Sequence, residues 1–398
     1  MREWLKKRSV LNCISSLVAI LAGLVLGLIL LYCFNAPKAM TGFRNMMLTG
    51  ITSMDKLGKV FYTAAPLLMT GLSVGFAFKT GLFNIGAPGQ YLAGTAATLF
   101  IALSMPVEGS EMVKWYASQG VEFAVTFPQW VVWVAAFLGG MAAGAVWGAI
   151  PGLLKALLNI NEVIACIMTN WIAANLVTWA FEVSKLKNVV EGTKTGYIYK
   201  TTFNGVATPK LGMDVLFPGS QANGGIIIAA IIAVGMYILM NKTTLGYQLQ
   251  ACGSNRHAAR YAGINDKRNI VLSMAIAGAL AAGGAALYWL SGNTEFYWST
   301  YQSLPATGFN GIPVALLAVN NPIAVVFTAI FMAMLDIVGL QLTGFTAYNE
   351  YITDVIISVI VYLSAFSLVI RMWLKGKRKK EKAPVADAPA KEKGDEVQ

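Results

Sequence analysis

Nine stretches of this chain stay apolar for about 20 residues at a time, and that length constrains the fold more than any other feature. They lie at 11–33, 61–79, 84–105, 129–150, 162–182, 225–240, 270–291, 323–342 and 351–371. An α-helix rises about 1.5 Å per residue, so such a run spans the ~30 Å of bilayer hydrocarbon and satisfies its own backbone hydrogen bonds. A β-barrel would need short segments of alternating polarity instead. With 56% hydrophobic and 12% charged residues and a mean hydropathy of +0.60, the chain is excluded from the soluble class.

The first run, LNCISSLVAILAGLVLGLILLYC, follows MREWLKKRSV. It is too long for the core of a cleaved signal and no A-x-A site follows, so it reads as a retained anchor. Tyr32 stands where a lipoprotein cleavage site needs a small residue. Cys13, Cys33, Cys166 and Cys252 are scattered without C-x-x-C spacing, which argues against a disulfide framework or metal site.

Nine crossings would put the basic ends on opposite sides of the membrane, against the tendency of Lys and Arg to stay cytoplasmic. TGFNGIPVALLAVNNP (307–322), short and interrupted by glycine and proline, supplies a tenth. With both termini inside, 20 of the 30 Lys and Arg fall on the cytoplasmic side. The predicted fold is an all-α polytopic membrane protein of about ten spans: a cytoplasmic segment 1–10, a transmembrane domain 11–371 and a basic tail 372–398 whose composition cannot bury a core. Much of the net charge of +11 sits at the ends, which suits anionic lipid rather than nucleic acid. Trp115, Trp130, Phe296, Tyr297 and Trp298 fall near the predicted outer interface, as in an aromatic belt.

Two spans are broken. FKTGLFNIGAPGQYLAG (78–94) opens the third and TGFNGIPVALLAVNNP forms the eighth; each pairs Phe-Asn with nearby Gly and Pro. Five crossings apart, they enter the membrane with opposite polarity, the pattern of an inverted repeat. Backbone groups freed by such breaks are tolerated only inside protein or beside a wet cavity. Phe83 and Phe309 offer faces for a planar ring, and Asn84, Gln90 and Asn310 offer donors and acceptors for a sugar or base edge. The plainer reading is that these residues only mend the breaks. Gly140, Gly144, Gly148 and Gly152 make a smooth helix face for close packing. Asp336 lies deep in a span and Glu162 opens one, so both are candidates for structural hydrogen bonding, for a first-turn charge or, for Asp336, for a proton relay.

One cytoplasmic stretch, GYQLQACGSNRHAARYAGIND (246–266), is conspicuously polar. Ser254 is predicted to cap a two-turn helix from Asn255, ended by Gly263. Ala258, Ala259 and Ala262 form a small apolar ridge flanked by Arg256, Arg260 and Tyr261, suited to docking in another protein's groove.

That stretch, with the following NIVLSMAIAGALAAGGAAL, resembles the coupling region of ABC-type importer permeases of the ribose, branched-chain amino acid and nucleoside group. GLFNIGAPGQ, NEVIACIMTNWIA and GFNGIPVALLAVNNP resemble, more narrowly, nucleoside permeases that work with a basic-membrane-protein-type binding lipoprotein. The resemblance spans about residues 65–340. It implies a bacterial plasma-membrane subunit with no catalytic residues and no cofactor of its own, paired with a second permease (itself or a paralogue). A cytoplasmic ATPase would use ATP and Mg, and an extracytoplasmic lipoprotein would deliver substrate. The chain has no G-x-x-x-x-G-K-[ST] loop, in keeping with ATP being hydrolysed elsewhere. Pro88, Gln250 and His257 depart from what relatives often carry at those positions. A simple-sugar importer and an ion-coupled secondary transporter are the alternatives; a membrane enzyme lacks any catalytic motif.

Overall fold

The computed structural model describes residues 8–194, 196–298 and 303–345, with a few positions between 352 and 362. The tail 372–398 and most of the predicted span 351–371 lie outside the described residues. Thirteen α-helices are found: α1 (Arg8–Leu48), α2 (Met54–Lys79), α3 (Ala87–Ser104), α4 (Glu111–Ser118), α5 (Gln129–Leu158), α6 (Glu162–Glu182), α7 (Met213–Leu216), α8 (Gly225–Lys242), α9 (Thr244–Ser254), α10 (Arg256–Tyr261), α11 (Asp266–Trp289), α12 (Ala306–Leu317) and α13 (Pro322–Phe345). Among the described residues there are only isolated β-bridges and no strand.

Among the described residues six helical stretches are long and apolar enough to cross a membrane: Leu21–Ile51, α2, α5, α6, α8 and α11. α12 and the Pro322–Ile337 part of α13 are shorter apolar helices. The predicted end of the first span at residue 33 is corrected, because α1 continues to Leu48 through a kink at Asn35 (φ −156°, ψ 83°). Pro37 removes an amide donor two residues later and bends the helix without ending it.

Burial separates an inner pair from an outer ring. In α2 and α11, 89% and 72% of the most apolar segment is buried, against 17% along α1 and 33% in α5 and α8. The outer helices turn Leu21, Val25, Leu138, Val146, Ile231 and Phe327 outward, as lipid-facing surfaces do. The inner helices hold their neighbours by close backbone approach. A Cβ on Gly144 would lie 2.4 Å from the Gly278 carbonyl oxygen, and one on Gly278 would lie 2.1 Å from that of Gly144. Gly148 meets the Met274 carbonyl in the same way and Gly140 faces Thr98. The four-residue glycine spacing in α5 therefore does what its sequence predicts, seating α5 on α11 and α3.

The loops after α3 and after α6 are tied together by Asn204, 0% exposed, whose amide donates to the carbonyls of Ala102 and Met105 (2.7 Å each) and accepts from the Val107 amide (3.0 Å). Of the aromatics read as a belt, Trp130 is exposed, whereas Phe296 is buried against Phe181 and Trp289 and belongs to the core.

Candidate functional site

The break between α2 and α3 is closed at both ends. α2 stops where Gly81 takes a left-handed conformation (φ +74°); the Leu82 amide donates to the Ala77 carbonyl and the Gly81 amide to that of Phe78, the paired bonds of a Schellman motif. Beyond it, Asn84 is 0% and Gln90 1% exposed, and their amides face each other: Asn84 Nδ2 donates to Gln90 Oε1 (2.7 Å) and Gln90 Nε2 to Asn84 Oδ1 (3.0 Å). Asn84 also donates to Ser73 Oγ on α2 and accepts the Gly86 amide. From α6, Asn170 Oδ1 accepts the Gly89 amide (2.9 Å) while its Nδ2 donates to the Ile85 carbonyl (3.0 Å).

Asn84 and Asn170 satisfy backbone groups that the break would otherwise leave unpaired in an apolar interior, and Gln90 holds the Asn84 amide in place. Asn84 and Gln90 thus spend their hydrogen bonds on each other and on the chain. Asn170 was not singled out from sequence. Its signal was there, an asparagine inside the apolar run NEVIACIMTNWIA, which needs an internal partner in a membrane.

The second interruption lies against the first. A Cβ on Gly308 in α12 would sit 2.5 Å from the Pro88 Cα, and one on Gly311 would sit 2.6 Å from the Thr70 carbonyl carbon. Glycine at these two positions lets α12 lie directly on α2 and on the first turn of α3. α12 ends where Val319 and Asn320 both turn left-handed (φ +49° and +56°), and Asn321 then caps α13 by accepting the Ile323 amide. Phe83 is half-buried with its ring 5.0 Å from that of Phe78, whereas Phe309 is at the surface of the chain and Asn310 is half-buried. The predicted group therefore divides into two locked amides and three more accessible side chains.

The polar stretch folds differently from its prediction in three respects. It is helical from Thr244, as α9, which is capped by Thr243, whose hydroxyl accepts the Gly246 amide. Gln250, an apparent departure from relatives, donates to the Met240 carbonyl (2.6 Å) and so satisfies the end of α8. The cap of α10 is Asn255, which accepts the Ala258 amide (3.0 Å), rather than Ser254; the latter ends α9. The end of α10 is as predicted: Gly263 is left-handed (φ +77°), its amide donates to Arg260 and that of Ile264 to Ala259.

The third difference concerns the ridge. Ala259 is 5% exposed and packs inward, so it is not part of a docking surface. Ala258, Ala262 and Tyr261, the last 95% exposed, face outward. α10 is not free-standing either. Arg256 pairs with Asp266, and Arg260 Nη2 lies 3.0 Å from the same carboxylate, which opens α11 and is almost wholly buried. Both arginines thus anchor α10 to α11. Glu162 pairs with Lys155, joining the end of α5 to the start of α6. Asp336 lies on an exposed part of α13.

Between these two regions is a cavity of about 260 Å³. Its wall includes Thr80 and Gly81 from the α2 end, Lys155 from α5, Cys252, Gly253 and Arg256 from the α9–α10 joint, and Asn269 from α11.

An all-helical membrane protein with interrupted helices buried against its central pair is built as the membrane subunit of a transporter. Over residues 56–365 the chain matches the family described as "Branched-chain amino acid transport system / permease component", and it belongs to that family. It is 33% identical to the nucleoside ABC transporter permease protein NupB of Lactococcus lactis, over 96% of this chain and 97% of the relative. It is 32% identical to the guanosine ABC transporter permease protein NupP of Bacillus subtilis, over 92% and 97% of the two chains. A glucose ABC transporter permease protein of Haloferax volcanii is 28% identical over 93% and 92%.

Proposed function

We propose that this chain is the permease subunit of an ATP-driven importer of nucleosides. The observation that carries the reading is the near full-length similarity to two permeases named for nucleoside and guanosine transport. The joints are compatible with it. Interrupted helices beside a transport path supply positioned backbone groups, and Phe83, Phe309 and Asn310 are the accessible side chains that suit a planar base and its polar edge. Asn84 and Gln90 act from behind, fixing the geometry of the joint.

In this reading the chain crosses the membrane about ten times, as an inverted repeat of five plus five, with both termini in the cytoplasm of a bacterial cell. α10 is the coupling helix. A separate ATPase, holding ATP and Mg, grips its outward face at Ala258, Tyr261 and Ala262, while Arg256, Arg260 and Gly263 fix its pose. A second permease, a paralogue or another copy, completes the path, and an extracytoplasmic lipoprotein feeds it.

The test is uptake of labelled guanosine into cells or proteoliposomes carrying the assembled importer, with unlabelled nucleosides, ribose and glucose as competitors. Competition by nucleosides alone is expected. The relative named for glucose transport gives the sugar reading its one specific support, and inhibition by sugar in preference to nucleoside would establish it. Uptake that persists without the ATPase but collapses with the ion gradient would replace both with a secondary transporter.

A further inference from the structure

We infer that Gly81 and Gly253 are positioning residues for transport, because the backbone contact between them carries movement of the α9–α10 joint into the α2–α3 interruption. The inference rests on the proposed function for what moves α10. The contact itself does not. A Cβ placed on Gly81 would lie 2.4 Å from the Gly253 Cα and 2.6 Å from its carbonyl oxygen; one placed on Gly253 would lie 2.4 Å from the Thr80 carbonyl carbon and 2.6 Å from the Gly81 amide nitrogen. Neither residue has space for a side chain, so main chain meets main chain.

Such a contact is stiff. Side chains absorb small displacements by changing rotamer, whereas two abutting backbones pass a displacement on. The residues on each side give that displacement an origin and a destination. Gly253 is two positions before Asn255, the cap of α10, and α10 is locked through Arg256 and Arg260 to Asp266. Gly81 is three positions before Asn84, whose paired amide with Gln90 sets the start of α3. A push on α10 therefore reaches, through one backbone contact, the hinge that orients the interrupted helix.

The neighbouring cavity supplies the freedom such a lever needs. It is lined by both glycines together with Thr80, Cys252 and Asn269, so the joint abuts main chain on one side and open space on the other. Asn269 is 1% exposed and its Oδ1 has no hydrogen-bond partner among the described residues, which makes the space polar and suited to water that can be expelled or admitted. Sequence alone gives no hint of the pairing, since the two glycines are far apart in the chain.

The test uses the complete importer in proteoliposomes: this chain, its ATPase, its second permease and its binding protein. Gly253→Ala is expected to lower the number of substrate molecules imported per ATP hydrolysed by about tenfold, the scale of a typical coupling free energy. Gly235→Ala, at an α8 glycine with open space around it, should leave that ratio unchanged. A normal ratio in Gly253→Ala overturns the inference. Should Gly253→Ala fail to assemble or hydrolyse ATP, the decision passes to Cys252 in a chain whose other three cysteines are serine. Its alkylation rate by N-ethylmaleimide is expected to differ several-fold between nucleotide-free and vanadate-trapped complexes, and equal rates overturn the inference. Failure of the underlying reading is distinct: the unaltered importer would then take up substrate without hydrolysing ATP.

Discussion

The α2–α3 joint and the α9–α10 joint solve opposite problems with similar parts. Both set a glycine and an asparagine where one helix gives way to the next, yet the first is sealed and the second is displayed. At α2–α3 every polar group of Asn84, Gln90 and Asn170 described above is turned inward onto the chain. At α9–α10 the carboxylate of Asp266 holds one side of the helix while Ala258, Tyr261 and Ala262 are left bare. A region that must keep its shape inside a membrane spends its polar groups internally. The α9–α10 region, which in the proposed reading meets another protein, fixes only one side.

The contrast breaks most visibly at Asn170. Asn170→Leu keeps the branching of the side chain but strips the Gly89 amide and the Ile85 carbonyl of their partners. The expected loss is about 3 kcal/mol, at roughly 1–3 kcal/mol for each buried group left unpaired. It should appear as a clear fall in melting temperature in detergent, and wild-type melting would mean that the joint is held by packing alone. Asp266→Ala should cost less, about 1–2 kcal/mol, because its arginine partners are partly in water and screened. Its signature is local: faster amide exchange across residues 255–264 with the α2–α3 joint unchanged.

A cap is worth less again. Asn255→Ala removes the acceptor for the Ala258 amide and is expected to cost about 1 kcal/mol. Ser254→Ala should be neutral by the same measurement of exchange across α10, and the reverse order of effects would return the cap to Ser254.

Most of the helices were legible in the sequence because hydrocarbon thickness and apolar run length are the same constraint seen twice. The runs at 129–150, 162–182, 225–240 and 270–291 fall on α5, α6, α8 and α11. Helix α9 was not legible, since the apolar residues of LGYQLQACGS alternate rather than recur at helical spacing and its helicity depends on Leu249 packing and on Gln250 bonding to the end of α8. The choice between Ser254 and Asn255 as a cap is equally hidden, because both side chains can accept an amide and only the position of Asp266 relative to α10 fixes where the turn begins. Likewise, a two-turn helix with three alanines does not say which one faces home. Ala259 does so because two arginines on the same helix are drawn to one carboxylate. In the substrate-path group the residue types were informative and their directions were not: asparagine and glutamine equally suit a ligand or a broken backbone, and here Asn84 and Gln90 answer to the backbone.

The smallest effect on stability should accompany the sharpest effect on coupling. Tyr261 is 95% exposed, so Tyr261→Ala removes almost no packing and should leave the melting temperature of the isolated chain unchanged. Ala259→Glu, one turn's face away, should do the reverse and destabilise the chain by forcing a charge into a buried position. If α10 presents its outward face to an ATPase, Tyr261→Ala weakens co-purification of that ATPase while the protein stays folded, and Ala259→Glu loses it only together with the fold. Equal behaviour of the two variants would erase the distinction between a held side and a displayed side. The comparison is therefore decided by a pair of measurements, melting temperature and ATPase retention, made on residues two positions apart in one short helix.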